Sequence, residues 1–179
     1  MYGAMMVIAL VWAFVRDLHP GWWTFEGPTA IAAAAGLGIG LGLVGVVLSK
    51  QMEAHVPGVQ QLGDRFATIL AGADTKDAVA LAFLSAVGEE ALFRGCAQEE
   101  WGLWPATILF AVVHSGPERV YLWWTASAFV FGIGLALLYE YQGGLLAPIL
   151  MHSTINAINI RSLGKRGAEL REAKLQMDW

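Results

Sequence analysis

Gly88-Glu89-Glu90-Ala91-Leu92-Phe93-Arg94-Gly95 follows directly on the apolar run from Ala78 to Val87. Two adjacent carboxylates and a guanidinium therefore stand where the flanking residues require lipid or a packed helix. Ionisable groups at membrane depth are costly, so they face a bundle interior or a wet cavity and mark a functional site. Glu90 and Arg94 are four residues apart, share a helical face and can pair. Glu89 is turned by about 100° from Glu90 and can face a different neighbour. This division assigns Glu90 and Arg94 to holding the helix and leaves Glu89 as the reactive carboxylate.

The rest of the chain reads as the container for that cluster. Its 179 residues are 56% hydrophobic and only 15% charged, with a mean hydropathy of +0.53. Soluble chains carry about 25% charged residues, so the composition points to a membrane protein. The length suits one domain, residues 1–179, with a catalytic core over about 77–160 and a basic tail over 161–179. A net charge of −4 without clustered Lys and Arg argues against a nucleic-acid partner. The single Cys, Cys96, forms no intrachain disulfide and has no partner spacing that would make it a nucleophile. No Lys or Arg precedes the first apolar run, so that run is expected to be retained and not cleaved as a signal peptide.

Apolar runs predict an all-α bundle of about six spans. They begin at Met1–Val15, Thr29–Ser49, Ala78–Glu99, Trp101–Val113, Val120–Tyr139 and Leu145–Ile160. The first is short for a complete crossing. His19 to Pro28, with Trp22 and Trp23, reads as an interfacial aromatic loop. In the second run Gly36 and Gly40, and likewise Gly38 and Gly42, have the spacing that lets helices approach closely in lipid. Lys50 to Asp77 is richer in charge but keeps Leu62, Phe66, Ile69 and Leu70 at helical spacing. It reads as an amphipathic surface helix between the second and third spans. Lys50, Arg65, Lys76, Arg119 and the basic tail all fall on one side, which places both termini in the cytoplasm by the positive-inside rule.

Three runs carry polar residues at depth: Glu89, Glu90 and Arg94 on the third, His114 at the end of the fourth, and His152 with Asn156 on the sixth. Phe110 and His114 are four apart, as are His152 and Asn156, so each pair points one way. Singly, each has a bland explanation: an interfacial histidine, a helix lock, an asparagine acting as helix glue. Together, on three otherwise apolar runs, they make a sufficient kit for hydrolysis, with a base for water and donors for an oxyanion. Glu89, His114 and His152 would equally suit a divalent metal such as zinc. No His-Glu-x-x-His run, Gly-x-Ser-x-Gly elbow or phosphate-binding glycine loop occurs.

Glu89-Glu90-x-x-x-Arg94, Phe110-x-x-x-His114 and His152-x-x-x-Asn156, with Gly144-Leu145-Leu146-Ala147-Pro148 leading into the last, resemble the CPBP family. These are the CAAX-protease and bacteriocin-processing (ABI) intramembrane proteases, including the Rce1-type prenyl-protein endopeptidases. The resemblance covers roughly Asp77 to Asn159. It implies a helical membrane core in which Glu89 and His114 activate water, His152 and Asn156 stabilise the oxyanion, and Arg94 is a structural partner of Glu90. Phe110 supports the site. It further implies an intramembrane peptidase without cofactor, acting on a membrane-anchored protein or peptide. A metal-free site is preferred, because a Glu, two His and an Asn can be arranged to activate water without a metal and no carboxylate backing either histidine is visible. The compact core suits a bacterial member of the cell membrane that processes peptides, confers bacteriocin self-immunity or, as in the myxosortase-like subgroup, trims C-terminal anchors, with anchor trimming ranked slightly above prenyl processing. The competing readings are a non-catalytic scaffold or bacteriocin-immunity protein with a structural polar cluster, and a transporter with a Glu/His proton relay.

Overall fold

A computed structural model describes residues 2–18, 22 and 27–177. The aromatic loop expected over His19–Pro28 lies outside these except for Trp22, Gly27 and Pro28. The described residues are helical, with no strand among them. The helices are α1 (Tyr2–Arg16), α2 (Pro28–His55), α3 (Pro57–Ile69), α4 (Thr75–Leu92), α5 (Glu99–Trp101), α6 (Leu103–Val113), α7 (Leu122–Gln142) and α8 (Leu146–Met177). A π-helical turn, Phe93–Gln98, joins α4 to α5, and a 3₁₀ turn, Arg119–Tyr121, leads into α7.

Local chemistry sets the helix ends. Asp74 caps α4 by accepting from the backbone N–H of Lys76 at 2.7 Å and of Asp77 at 2.9 Å. The Asp77 carboxylate returns the bond to the Asp74 N–H at 3.2 Å, completing a capping box. Gly143 ends α7 with φ 66, a left-handed conformation that glycine adopts without Cβ strain.

Small residues face inward and large apolar ones outward. The buried positions include Ala9, Ala13, Ala34, Ala78, Ala82, Ala86, Ala106 and Ala136. Val7, Val11 and Phe14 on α1, Val44 and Val47 on α2, and Val112 and Val113 on α6 are all more than half exposed. A soluble protein buries its large aliphatics, whereas a bundle in lipid brings small residues together at helix contacts. Two segments, Pro28–His55 and Arg119–Gln142, are long and apolar enough to cross a membrane. Helices α1 and α6 are apolar but shorter, and α4 and α8 carry charge. Length and apolarity thus identify two spans where six were expected, and the higher count stands as a proposal. Helix α3 forms within the expected amphipathic stretch and buries Leu62, Gly63 and Ala67 on one face. Its seat on a membrane surface likewise remains a proposal.

Helices α2 and α8 run parallel. Gly38 meets Ala147, Gly42 meets Met151 and Thr154, and Gly45 meets Ile155. A Cβ on Gly42 would lie 2.7 Å from Thr154 Cβ and 2.9 Å from the Met151 carbonyl, and one on Gly38 would overlap the Ala147 backbone. Gly36 and Gly40 face open space. Only one of the two glycine ladders read in the sequence is therefore an interface. Gly38→Ala should lower bundle stability by about 1–3 kcal/mol through overpacking. Gly40→Ala should leave it unchanged or raise it slightly, because alanine is the better helix former. Thermal unfolding of the two variants in detergent gives the sign of each.

The basic segment after Arg161 is helical: residues 161–177 continue α8 without a break. Gly164 and Gly167 are buried against the end of α3 and the turn after it. Arg166 pairs with both Glu53 and Asp64.

Candidate active site

Helices α4 and α8 are antiparallel, with Thr75 near Arg161, Ser85 near Asn156 and Glu90 near His152. Helix α6 returns antiparallel to α4, bringing Phe110 to Phe93 and His114 to Glu89. The three polar runs of the sequence thus meet at one level of the bundle.

Glu90 and Arg94 are completely buried, at 0% and 1% exposure. Arg94 Nε lies 3.2 Å from Glu90 Oε2, and Nη1 lies 3.3 Å from Oε1. Arg94 Nη2 donates to the Gly132 carbonyl at 3.0 Å, and the guanidinium stands 4.3 Å over the Phe110 ring. The expected Glu90–Arg94 pair forms, and it has a third member. His152 Nδ1 donates to Glu90 Oε1 at 2.7 Å. The sequence assigned Glu90 to the helix alone, yet it also fixes the orientation of His152.

His114 ends α6. Its Nδ1 lies 2.6 Å from the Phe110 carbonyl, which can only accept, so Nδ1 carries a proton. Both histidines therefore have Nδ1 occupied and turn Nε2 towards Glu89. Glu89 Oε2 is 3.4 Å from His114 Nε2 and 4.0 Å from His152 Nε2. This carboxylate oxygen is buried without a hydrogen-bond partner. Two neutral imidazoles would present lone pairs to it, so three acceptors converge. Such a group suits a water that donates to two of them and is polarised towards its oxygen.

One of the two grounds for expecting a metal-free site was that no carboxylate stands behind either histidine. That premise is overturned, since Glu90 backs His152 and the Phe110 carbonyl backs His114, as partners commonly back metal-bound histidines. The ligand spacing nevertheless departs from a zinc site. Ligands about 2.0–2.2 Å from zinc in a tetrahedron lie about 3.4 Å apart, which the His114 edge meets and the 4.0 Å His152 edge does not. Among the described residues no group of three His, Cys, Asp or Glu side chains is arranged to hold a metal.

Asn156 is the outlying member. Its amide donates to Ser85 Oγ at 3.2 Å, one turn along each helix from Glu89 and His152, and the Ser85 hydroxyl in turn donates a hydrogen bond to the Ala82 carbonyl at 3.1 Å. Ser85 gave no signal in the sequence, because a serine in an apolar helix commonly bonds its own backbone. Trp124 and Thr125 were also missed. The Trp124 ring lies 5.1 Å from His114, nearly edge-on at 79°, and Thr125 Oγ1 donates to the His114 carbonyl at 2.9 Å. Both sit in an apolar run whose spacing gives no reason to single them out.

The remaining polar residues lie elsewhere. Glu99 accepts from the Tyr139 hydroxyl at 2.7 Å, Glu100 pairs with Arg16, and Glu118 pairs with Arg65 at 2.8 Å on the surface. Cys96 is buried with its thiol against the Ala9 carbonyl. His19 lies outside the described residues.

A family model described as "Type II CAAX prenyl endopeptidase Rce1-like" matches residues 73–158. That segment includes Glu89, Glu90, Arg94, Phe110, His114, His152 and Asn156. The chain is 37% identical over 81 residues to "Uncharacterized protein YpbD" of Bacillus subtilis (strain 168). This match covers 44% of the chain and 41% of that protein, so the chain spans less than half of its relative. No solved structure matches the chain.

Proposed function

We propose, from the Rce1-like domain that residues 73–158 form, that this protein is an intramembrane endopeptidase. The observation that carries the reading is the convergence of Glu89, His114 and His152 around one buried, unpartnered carboxylate oxygen.

In this mechanism Glu89 and His114 activate water. Glu89 Oε2 takes a proton from the water as its oxygen attacks the scissile carbonyl, and His114 Nε2 accepts or returns a proton across the 3.4 Å contact. The His114 Nδ1–H bond to the Phe110 carbonyl keeps Nε2 aimed at the carboxylate. His152, once Nε2 takes up the proton released from the attacking water through Glu89, is an imidazolium that donates from Nε2 to the oxyanion while its Nδ1–H stays on Glu90. Asn156 supplies a second donor once its amide leaves Ser85, a turn of the side chain that the 3.2 Å bond makes inexpensive. Glu90, Arg94 and Phe110 act as the frame of the site.

The substrate is a membrane-anchored protein or peptide, cut near the membrane. The six-span topology with both termini in the cytoplasm of a bacterial cell completes the proposal.

The test is cleavage of membrane-anchored peptides by the purified protein in liposomes, with products identified by mass spectrometry. Cleavage is expected, and it should persist after exhaustive treatment with a metal chelator, because the His152 edge is too wide for a closed metal site. Cleavage that stops on chelation and returns with zinc would overturn the metal-free mechanism. Ion or solute flux without any cleavage would move the protein to the transporter reading. Neither flux nor cleavage would favour a scaffold.

A further inference from the structure

We propose that Trp124 is a positioning residue for His114 and that it ties the imidazole to helix α3. The proposal rests on the reading of His114 as half of the water-activating pair.

His114 is the C-cap of α6, with φ −91 and ψ 39, so the helix has already ended where the ring begins. Residues 115–119 are exposed and cannot brace it. Its orientation is therefore set by three contacts. Nδ1 is bonded to the Phe110 carbonyl at 2.6 Å, the Phe110 ring lies 4.4 Å away on one side, and Trp124 stands edge-on at 5.1 Å. The next residue of α7, Thr125, holds the His114 carbonyl at 2.9 Å. One turn of α7 thus grips both the ring and the backbone of His114. With Trp124 removed, the imidazole can swing about its Nδ1 bond, and the 3.4 Å contact between Nε2 and Glu89 opens.

Trp124 is itself held from the other side. Phe66 of α3 meets it at 5.2 Å and 79°. Phe66 also meets Tyr121 at 6.2 Å. Helix α3 is seated by Arg65 on Glu118 at 2.8 Å and by Arg166 on Asp64. Its first turn rests on the neighbouring indole, because a Cβ on Gly58 would overlap Trp123. A line of aromatic contacts therefore runs from α3 through Phe66 and Trp124 to His114, although α3 contributes nothing else to the site. Displacing α3 should loosen His114 without touching Glu89 or Glu90.

The experiment uses the full-length protein in liposomes with a cleavable anchored peptide. Trp124→Ala should lower kcat about 10- to 100-fold, the effect expected of a displaced catalytic group, while KM stays within about 2-fold because no substrate contact is lost. Trp124→Phe should recover most of the rate, and Gly58→Leu should lower kcat in the same direction. A second readout needs no turnover. Diethyl pyrocarbonate modification of His114, followed by peptide mass spectrometry, should be faster in Trp124→Ala than in the unaltered protein, also in a Glu89→Gln background. If no variant or parent cleaves peptide, the protease reading fails, and His114 modification still decides the positioning claim. Unchanged modification in Trp124→Ala overturns it, as does a KM increase at constant kcat or a Phe variant no better than Ala. An unaffected Gly58→Leu overturns the link to α3. Should Trp124→Ala fail to insert, Trp124→Leu keeps the apolar volume without the ring and carries the same expectations.

Discussion

Glu89→Gln is expected to abolish peptide cleavage, lowering kcat/KM by about 10³-fold or more while the protein still inserts and folds. A positioned general base contributes roughly 10²- to 10⁴-fold, and here the same oxygen also orients water between two imidazoles. Glutamine keeps the shape of the side chain and removes the basic lone pairs. Glu89 is 6% exposed and makes no ion pair with Arg94 at bonding distance, so neutralising it leaves no cation stranded. Folding should survive, as far-UV circular dichroism and thermal unfolding in detergent can verify. Parallel assays of Glu89→Gln and Glu90→Gln separate the two carboxylates. The first should be folded and inactive, the second destabilised. A folded, inactive Glu90→Gln beside a fully active Glu89→Gln would show that their roles are reversed.

Arg94→Leu is expected to be the most destabilising single change, at about 3–5 kcal/mol, because it leaves a carboxylate buried without its counter-charge. Glu90 is wholly enclosed, so no water can replace the guanidinium. Arg94 also donates to the Gly132 carbonyl at 3.0 Å, which ties α7 to the π-helical turn, and covers the Phe110 ring. Arg94→Lys should rescue only part of the loss. A lysine ammonium is a point charge on a flexible stem and cannot serve both Glu90 oxygens and the Gly132 carbonyl while lying over a ring. Denaturation midpoints of the two variants and of Arg94→Leu/Glu90→Leu measure this. The double variant should be more stable than Arg94→Leu alone, since it removes the stranded charge. If Arg94→Leu matches the unaltered protein, the pair is not the frame of the site.

The same pair shows why the site was only partly legible. Spacing of four residues predicts Glu90–Arg94, and the pair forms. His152 on Glu90 bridges 62 residues, and no local period reports a contact of that length. The conclusion drawn from its apparent absence, that neither histidine has a carboxylate behind it, was accordingly wrong. Ser85 beneath Asn156 and Trp124 beside His114 were missed for the same reason. The glycine ladders failed differently. Gly36–Gly40 and Gly38–Gly42 have identical spacing, and only the neighbour across the interface tells which is packed.

Composition and spacing suffice for the helical class, the inward turn of the polar residues and the separation of Glu89 from Glu90. Each of these follows from the 3.6-residue period and from the cost of charge among apolar side chains, both local to one helix. The direction of each histidine's Nε2, the second duty of Glu90, the seat of α3 and the unbroken length of α8 come from tertiary folding. They depend on which residues of different helices share a level, a property of packing that no single helix encodes.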